Sequence, residues 1–233
     1  MSNVPYKKEF LDLLKNLTSI NNSIILDDMD GDIFISRFNE SQSVVYQLKA
    51  PKEYFNTDTV AFYNFNEFSQ ILSVFQNPVI ERVSDNNIDK ITISEGKSKI
   101  NYVLTDPEVL VKGKKKAPQL PDKVFTLNLT IDEIRNIKKM ISILKASNIN
   151  FIVNDNILTV SIGNDNHNNS YSKEFTLETS TENYSGSFKT DVFMYVPDNS
   201  YVLNIAKNGE SSILTLKYVH EVIDLNFYVA EVK

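Results

Sequence analysis

Residues 129–145 read LTIDEIRNIKKMISILK. Thr130 and Glu133 stand in the S/T-x-x-E spacing of a capping box, in which each side chain takes up a free backbone N–H of the first helical turn. Leu129 and Ile134 occupy the N′ and N4 positions of a hydrophobic staple. Ile131, Ile134, Ile137, Ile141 and Leu144 then recur at steps of three and four, which predicts one apolar stripe on an amphipathic helix. The chain opens on the same pattern, with Phe10, Leu13, Leu14, Leu17 and Ile20. A shift of 124 residues lays Phe10 on Ile134 and Leu17 on Ile141.

The correspondence runs on downstream. Short alternating segments at 23–26, 32–38 and 44–49 match segments at 150–153, 157–162 and 172–177. A second short helix follows in each half: Asn64-Phe65-Asn66-Glu67 caps residues 68–75, and Thr190-Asp191 caps 192–196. Each half then ends in hairpin-like strands, at 88–93 with 99–104 and at 212–217 with 222–229. Five of the six glycines fall in polar turn contexts such as Asp30-Gly31-Asp32 and Asn208-Gly209-Glu210. The expected fold is therefore α+β, two similar domains each with an antiparallel sheet and two helices.

Between the halves, residues 105–123 (TDPEVLVKGKKKAPQLPDK) hold three of the seven prolines and four of the lysines at 112–116. Proline removes backbone donors and fixes φ, so this piece reads as a connector. The expected organisation is a domain over 1–104, the connector over 105–123 and a second domain over 124–233. At 233 residues with 42% apolar composition, the chain can fill two modest cores. It has no cysteine, so thiol nucleophiles, disulfides and Cys-ligated zinc are excluded. No signal-peptide pattern or run of 18 apolar residues occurs, which predicts no membrane association and a cytoplasmic location.

Catalytic chemistry finds little to work with. His167 lies in a polar loop and His220 near a turn, and neither has a second His at helical spacing. No phosphate-binding loop, dinucleotide fingerprint, nucleophile elbow or zinc-protease string is present. Aligning Gly31 with position 6 of a calcium loop puts Leu26 at position 1 and Arg37 at position 12, where carboxylates are required. The expectation is a non-enzyme without metal or cofactor.

Charge is distributed unevenly. The chain carries 24 Lys+Arg and 30 Asp+Glu, a net −6. Residues 1–104 and 124–233 are each net −4 and the connector is net +2. The polar faces of the two long helices run the other way, with Lys7, Lys8 and Lys15 in the first half and Arg135, Lys138, Lys139 and Lys145 in the second. Their acids, Glu9, Asp12, Asp132 and Glu133, sit in the first turn or two, where the helix dipole favours them. One such face would read as an ordinary solvated surface; two at equivalent places weaken that reading.

Residues 13–26 (LLKNLTSINNSIIL) and 63–74 (YNFNEFSQILSV) resemble the sliding clamp, or DNA polymerase processivity factor, of T-even-type bacteriophages. The connector and the repeated second half fit the same family. The resemblance implies the DNA clamp fold, a homotrimer closed head-to-tail into a ring, and duplex DNA held in the hole without sequence specificity. It implies that Lys7, Lys8, Lys15, Arg135, Lys138, Lys139 and Lys145 face DNA. The subunit interface would join Lys99, Ile100, Tyr102 and Leu104 of one copy to Lys173, Phe175 and Leu177 of the next. DNA polymerase, clamp loader and the late-transcription machinery are the implied partners. Their terminal peptides would enter a pocket near the connector, with Leu120, Phe125, Tyr228 and Val229 as its candidate wall. The alternative is an oligomeric structural or assembly protein of a phage that uses the duplicated domain without a DNA role. The acidic total is compatible with a clamp, because an acidic exterior repels DNA from everywhere but the hole.

Overall fold

Two units of one plan build the chain: residues 1–40 with 47–115, and residues 41–46 with 116–233. The computed structural model describes residues 2–85, 88–113, 116, 118, 120, 122–164, 167–178 and 182–232. The first unit runs β1 (Ser2–Asn3), α1 (Lys8–Leu17), β2 (Ile24–Met29), β3 (Asp32–Phe38), β4 (Val44–Pro51), β5 (Val60–Phe62), α2 (Phe65–Ser73), β6 (Val79–Asp85), β7 (Ile88–Glu95) and β8 (Ser98–Val103). The second runs β9 (Lys123–Leu129), α3 (Ile131–Leu144), β10 (Asn148–Asn154), β11 (Ile157–Asn164), β12 (His167–Thr176), β13 (Tyr184–Lys189), α4 (Asp191–Tyr195), β14 (Tyr201–Asn208), β15 (Ser211–Tyr218) and β16 (Asp224–Ala230). Strand order repeats as well. Neighbours run β5-β2-β3-β4 and β1-β6-β7-β8 in the first unit, β13-β10-β11-β12 and β9-β14-β15-β16 in the second. The duplication read from helix spacing thus extends to every strand and α-helix, the 3-10 turn Lys52–Tyr54 of the first unit having no counterpart among the described residues, and β8 is the counterpart of β16, β4 of β12.

The helices form as their sequences dictate. Thr130 Oγ1 accepts from the Glu133 N–H and the Glu133 carboxylate accepts from the Thr130 N–H at 2.9 Å, a complete capping box. Ile134, Ile137 and Ile141 are buried on one face. Asn64 Oδ1 accepts from the Glu67 N–H at 3.0 Å and opens α2. Thr190 departs from expectation. Its hydroxyl donates to the Ala146 carbonyl at 2.7 Å instead of capping α4. A helix of five residues has little to gain from a cap.

The core of the first unit is aromatic. Phe62 on β5 is fully buried among Phe55, Phe65, Phe68 and Tyr102, with ring centroids 4.6–6.4 Å away. The Tyr102 hydroxyl, which burial would leave without water, donates to the Asn64 carbonyl at 2.9 Å. In the second unit, residues 41–46 lie along β16. The Ala230 N–H donates to the Ser43 carbonyl at 3.1 Å, and Tyr46 sits 6.3 Å from Phe227, ring to ring.

The first part of the connector is packed and does not run free. The Thr105 N–H donates to the Ala61 carbonyl at 3.0 Å, Leu110 is buried with Ile25 and Ala61, and the buried Arg37 guanidinium donates to the Val111 carbonyl. The Gly113 N–H reaches the Ser36 carbonyl at 3.2 Å, and a Cβ at Gly113 would overlap that carbonyl oxygen. Gly113→Ala is therefore expected to lift the connector off β3 and cost about 1–3 kcal/mol. A urea unfolding midpoint unchanged from wild type would show that the close approach does not matter.

Candidate nucleic-acid interface

On α1, Lys8 and Lys15 are seven residues apart, two turns, and so share one exposed face. Between α1 and α2 lies a groove of about 180 Å³ lined by Tyr6, Lys8, Leu11, Lys15, Leu72 and Phe75. Among the described residues, no ion pair holds either lysine. Lys7 is different. It precedes the helix, its ammonium donates to Glu53 at 2.8 Å and stands 4.0 Å over the Tyr54 ring. That hydrogen bond holds Lys7 above the usual lysine range. Lys7 is committed to its own unit and is less available to phosphate than Lys8 and Lys15.

The cations of α3 divide in the same way, except that Lys145 stands just past the helix, as its C-cap with a positive φ. Lys139 and Lys145 are exposed and have no ion pair among the described residues. Arg135 and Lys138 converge on Asp198: Arg135 Nε lies 3.2 Å from Oδ2 and Lys138 Nζ 2.5 Å from Oδ1. Lys138 also donates to the Val196 carbonyl at 2.7 Å. The Lys138 hydrogen bond holds the Asp198 carboxyl below the usual carboxylate range, over the opposing effect of partial burial and with Arg135 adding to it. Both pairs are thus intact at neutral pH. Asp198 lies in the turn after α4, outside any helical periodicity, so nothing in the sequence pattern pointed to it.

β8 and β12 end their sheets, each with one strand neighbour among the described residues. Their ladders show which backbone groups are free. The Leu104 N–H donates to Asp89, which makes Tyr102 opposite Ile91 the hydrogen-bonded pair. The N–H and C=O groups of Lys99, Asn101 and Val103 therefore point outward. By the same reasoning, the Leu177 N–H bonded to Asn156 turns Ser172, Glu174 and Thr176 outward on β12. Of the residues expected at a subunit joint, Tyr102, Leu104 and Leu177 bury their side chains in their own units, so they would enter a joint through the backbone of their strands alone. Lys99 is exposed and Ile100 half-buried. Lys173 donates to Glu133 at 2.8 Å and lies 4.6 Å over the Phe175 ring. Val103 is exposed as well: it shares the outward phase of β8 with Lys99 and Asn101, and an apolar residue at a solvent-side position is not marked out by polar–apolar alternation.

The four residues proposed for a peptide pocket do not form one wall. Tyr228 and Val229 are consecutive in β16 and project to opposite faces. Phe125 and Val229 are buried core residues. Leu120 and Tyr228 remain partly accessible. Of the histidines, His220 Nδ1 accepts from the N–H groups of Val222 and Ile223 at 3.2 and 3.1 Å and so closes a turn. The His167 side chain lies outside the described residues. In the acidic β2–β3 turn, Asp30 and Gly31 both have positive φ, the requirement of a tight hairpin. Asp28 and Asp32 there are paired with Lys52 at 2.6 Å and Lys49 at 2.8 Å.

Duplicated units with antiparallel sheets and two helices each, in this strand order, define the DNA clamp fold. The chain is similar over 100% of its length to the crystal structure of proliferating cellular nuclear antigen from Entamoeba histolytica, covering 99% of that chain with a TM-score of 0.75 at 18% identity. PCNA from Thermococcus kodakaraensis matches at a TM-score of 0.72 and 14% identity, with 99% of each chain covered. A. fulgidus PCNA, with the C-terminal region of FEN-1 bound, matches at a TM-score of 0.71 and 13% identity over 100% of this chain and 99% of that one. No protein-family model and no curated protein matches the sequence.

Proposed function

We propose that this protein is a sliding clamp: copies close head-to-tail into a ring around duplex DNA and tether a replicative polymerase for processive synthesis. One observation carries the ring. Within the second unit, the edge of β16 is taken by residues 43–46, the start of β4. β8 and β12, the counterparts of β16 and β4, have no such neighbour among the described residues. Joining β8 of one copy to β12 of the next repeats a contact the chain already makes. Such a heterologous joint propagates, and with the right rotation it closes. It also covers two edges that would otherwise invite aggregation.

Three copies give six units, the arrangement the phage-clamp resemblance implies. Lys8, Lys15, Lys139 and Lys145 then meet phosphates in the hole, without base readout and loosely enough to slide. A T-even-type phage origin, action in the host cytoplasm, loading by an ATP-driven clamp loader and a role in late transcription belong to the same reading. Partner peptides would meet the accessible Tyr228 and Leu120. The test is retention on circular against linear duplex, with loader and ATP. Retention lost on linearisation supports a topological link. Equal retention on both returns the protein to an oligomeric structural role. Changing Lys8, Lys15, Lys139 and Lys145 together to Gln is expected to shorten retention on circular DNA about tenfold or more, with the oligomer intact. Unchanged retention would mean that these helices do not line the hole.

A further inference from the structure

We infer that Asp198 is a built-in counter-ion that occupies a phosphate's place on the cationic face of α3. The inference takes its biological meaning from the clamp reading, but its geometry stands apart from it. Both carboxylate oxygens are engaged, Oδ1 by Lys138 at 2.5 Å and Oδ2 by Arg135 at 3.2 Å. One anion bridging an ammonium and a guanidinium is the arrangement a phosphate diester would adopt. The turn that presents it is anchored. The Val196 N–H donates to the Val192 carbonyl at 3.0 Å, Pro197 fixes its own φ, and the hydroxyl of the buried Tyr201 donates to the Pro197 carbonyl at 2.9 Å. Lys138 is further tied to the Val196 carbonyl, and its side chain is only 20% exposed. An external phosphate must displace a carboxylate already in position, and an intramolecular ligand has the advantage of effective concentration.

Along α1 itself there is no such device, since Lys8 and Lys15 lack an ion pair among the described residues, and only Lys7, ahead of the helix, is held by a carboxylate, Glu53. The cationic face is therefore graded. Each contact a polyanion makes by releasing counter-ions strengthens its grip and steepens its salt dependence. Withholding Arg135 and Lys138 leaves the grip weak where a ring must move along DNA. Asp198 is thus a positioning residue for the strength of the DNA contact.

The test uses the full chain and a heparin column eluted with a salt gradient. Asp198→Asn is compared with Asp191→Asn, which removes the same charge from an exposed α4 carboxylate that has no ion pair among the described residues. Asp198→Asn is expected to elute at higher salt than Asp191→Asn, and adding Arg135→Gln and Lys138→Gln is expected to cancel the difference. On a short linear duplex, two additional phosphate contacts raise affinity by up to about 60-fold at 0.1 M salt. Asp198→Ser gives a second reading should Asp198→Asn not fold. Coincident elution of the Asp198 and Asp191 variants overturns the inference. A heparin difference together with equal retention on circular and linear DNA leaves the counter-ion in place and overturns the clamp reading instead.

Discussion

Replacing Val103 or Glu174 by proline is expected to convert the proposed ring into folded monomers. Both residues are exposed, and both have their N–H on the outer side of an edge strand. Proline removes that donor and adds a ring where the next copy's strand must lie, but it costs the home sheet no ladder bond, the one setting in which a strand tolerates proline. The loss at one joint is a hydrogen bond of about 1 kcal/mol together with the clash. A cost of about 1.4 kcal/mol per joint is tenfold. The proposed ring of three would contain the joint three times, so its assembly constant would fall about 1000-fold or more. Sedimentation at several concentrations reads the oligomer, and circular dichroism checks that the monomer is folded. Tyr102→Pro is the contrast. Its N–H faces β7, so the fold itself should suffer. A trimer that survives both edge prolines would place the interface elsewhere.

How much of this was legible beforehand differs between elements for physical reasons. The start and buried face of α3 could be read, because a capping box, a staple and an apolar stripe are local signals, whereas its end at Leu144, with Lys145 in the left-handed conformation, carried no such signal. The strands of residues 32–38 and 44–49 were visible by their alternation, whereas β5 was not: Val60, Ala61 and Phe62 are buried together and carry no period. β13, with Ser185, Gly186 and Ser187 at its centre, offers no apolar pattern at all, and its place is set by pairing with β10. β9 alternates but adjoins the prolines of the connector, which hid it. The loan of residues 41–46 to the second unit is a tertiary event with no local signature. The same division holds at the site. The seven cations were found by helical phase, which gives direction and says nothing about partners. Glu53 and Asp198, separated from Lys7 and Lys138 by 46 and 60 residues, decide which of those charges are available.

Phe62→Ala is expected to be the most destabilising single substitution considered for the first unit. The ring is fully buried and touches four others: Phe65 edge-on at 5.1 Å, Phe68 tilted at 4.6 Å, and Tyr102 and Phe55 at 6.0 and 6.4 Å. These belong to α2, β8 and the segment after β4, so one side chain joins three parts of the unit. Removing it forfeits apolar burial and leaves a cavity that stiff neighbouring rings close poorly, a loss of about 3–5 kcal/mol. Against a domain stability of about 5–15 kcal/mol, that is enough to populate unfolded chains at ordinary temperatures. The effect should reach the proposed joint. Tyr102 leans on Phe62 and alternates along β8 with Asn101 and Val103, so a loosened core blurs the edge that a second copy would pair with in the proposed ring. Phe62→Leu keeps most of the volume and should lose less than half as much. Urea unfolding followed by circular dichroism separates the two variants, and equal midpoints for alanine and leucine would mean that the aromatic cluster is not what holds the unit together.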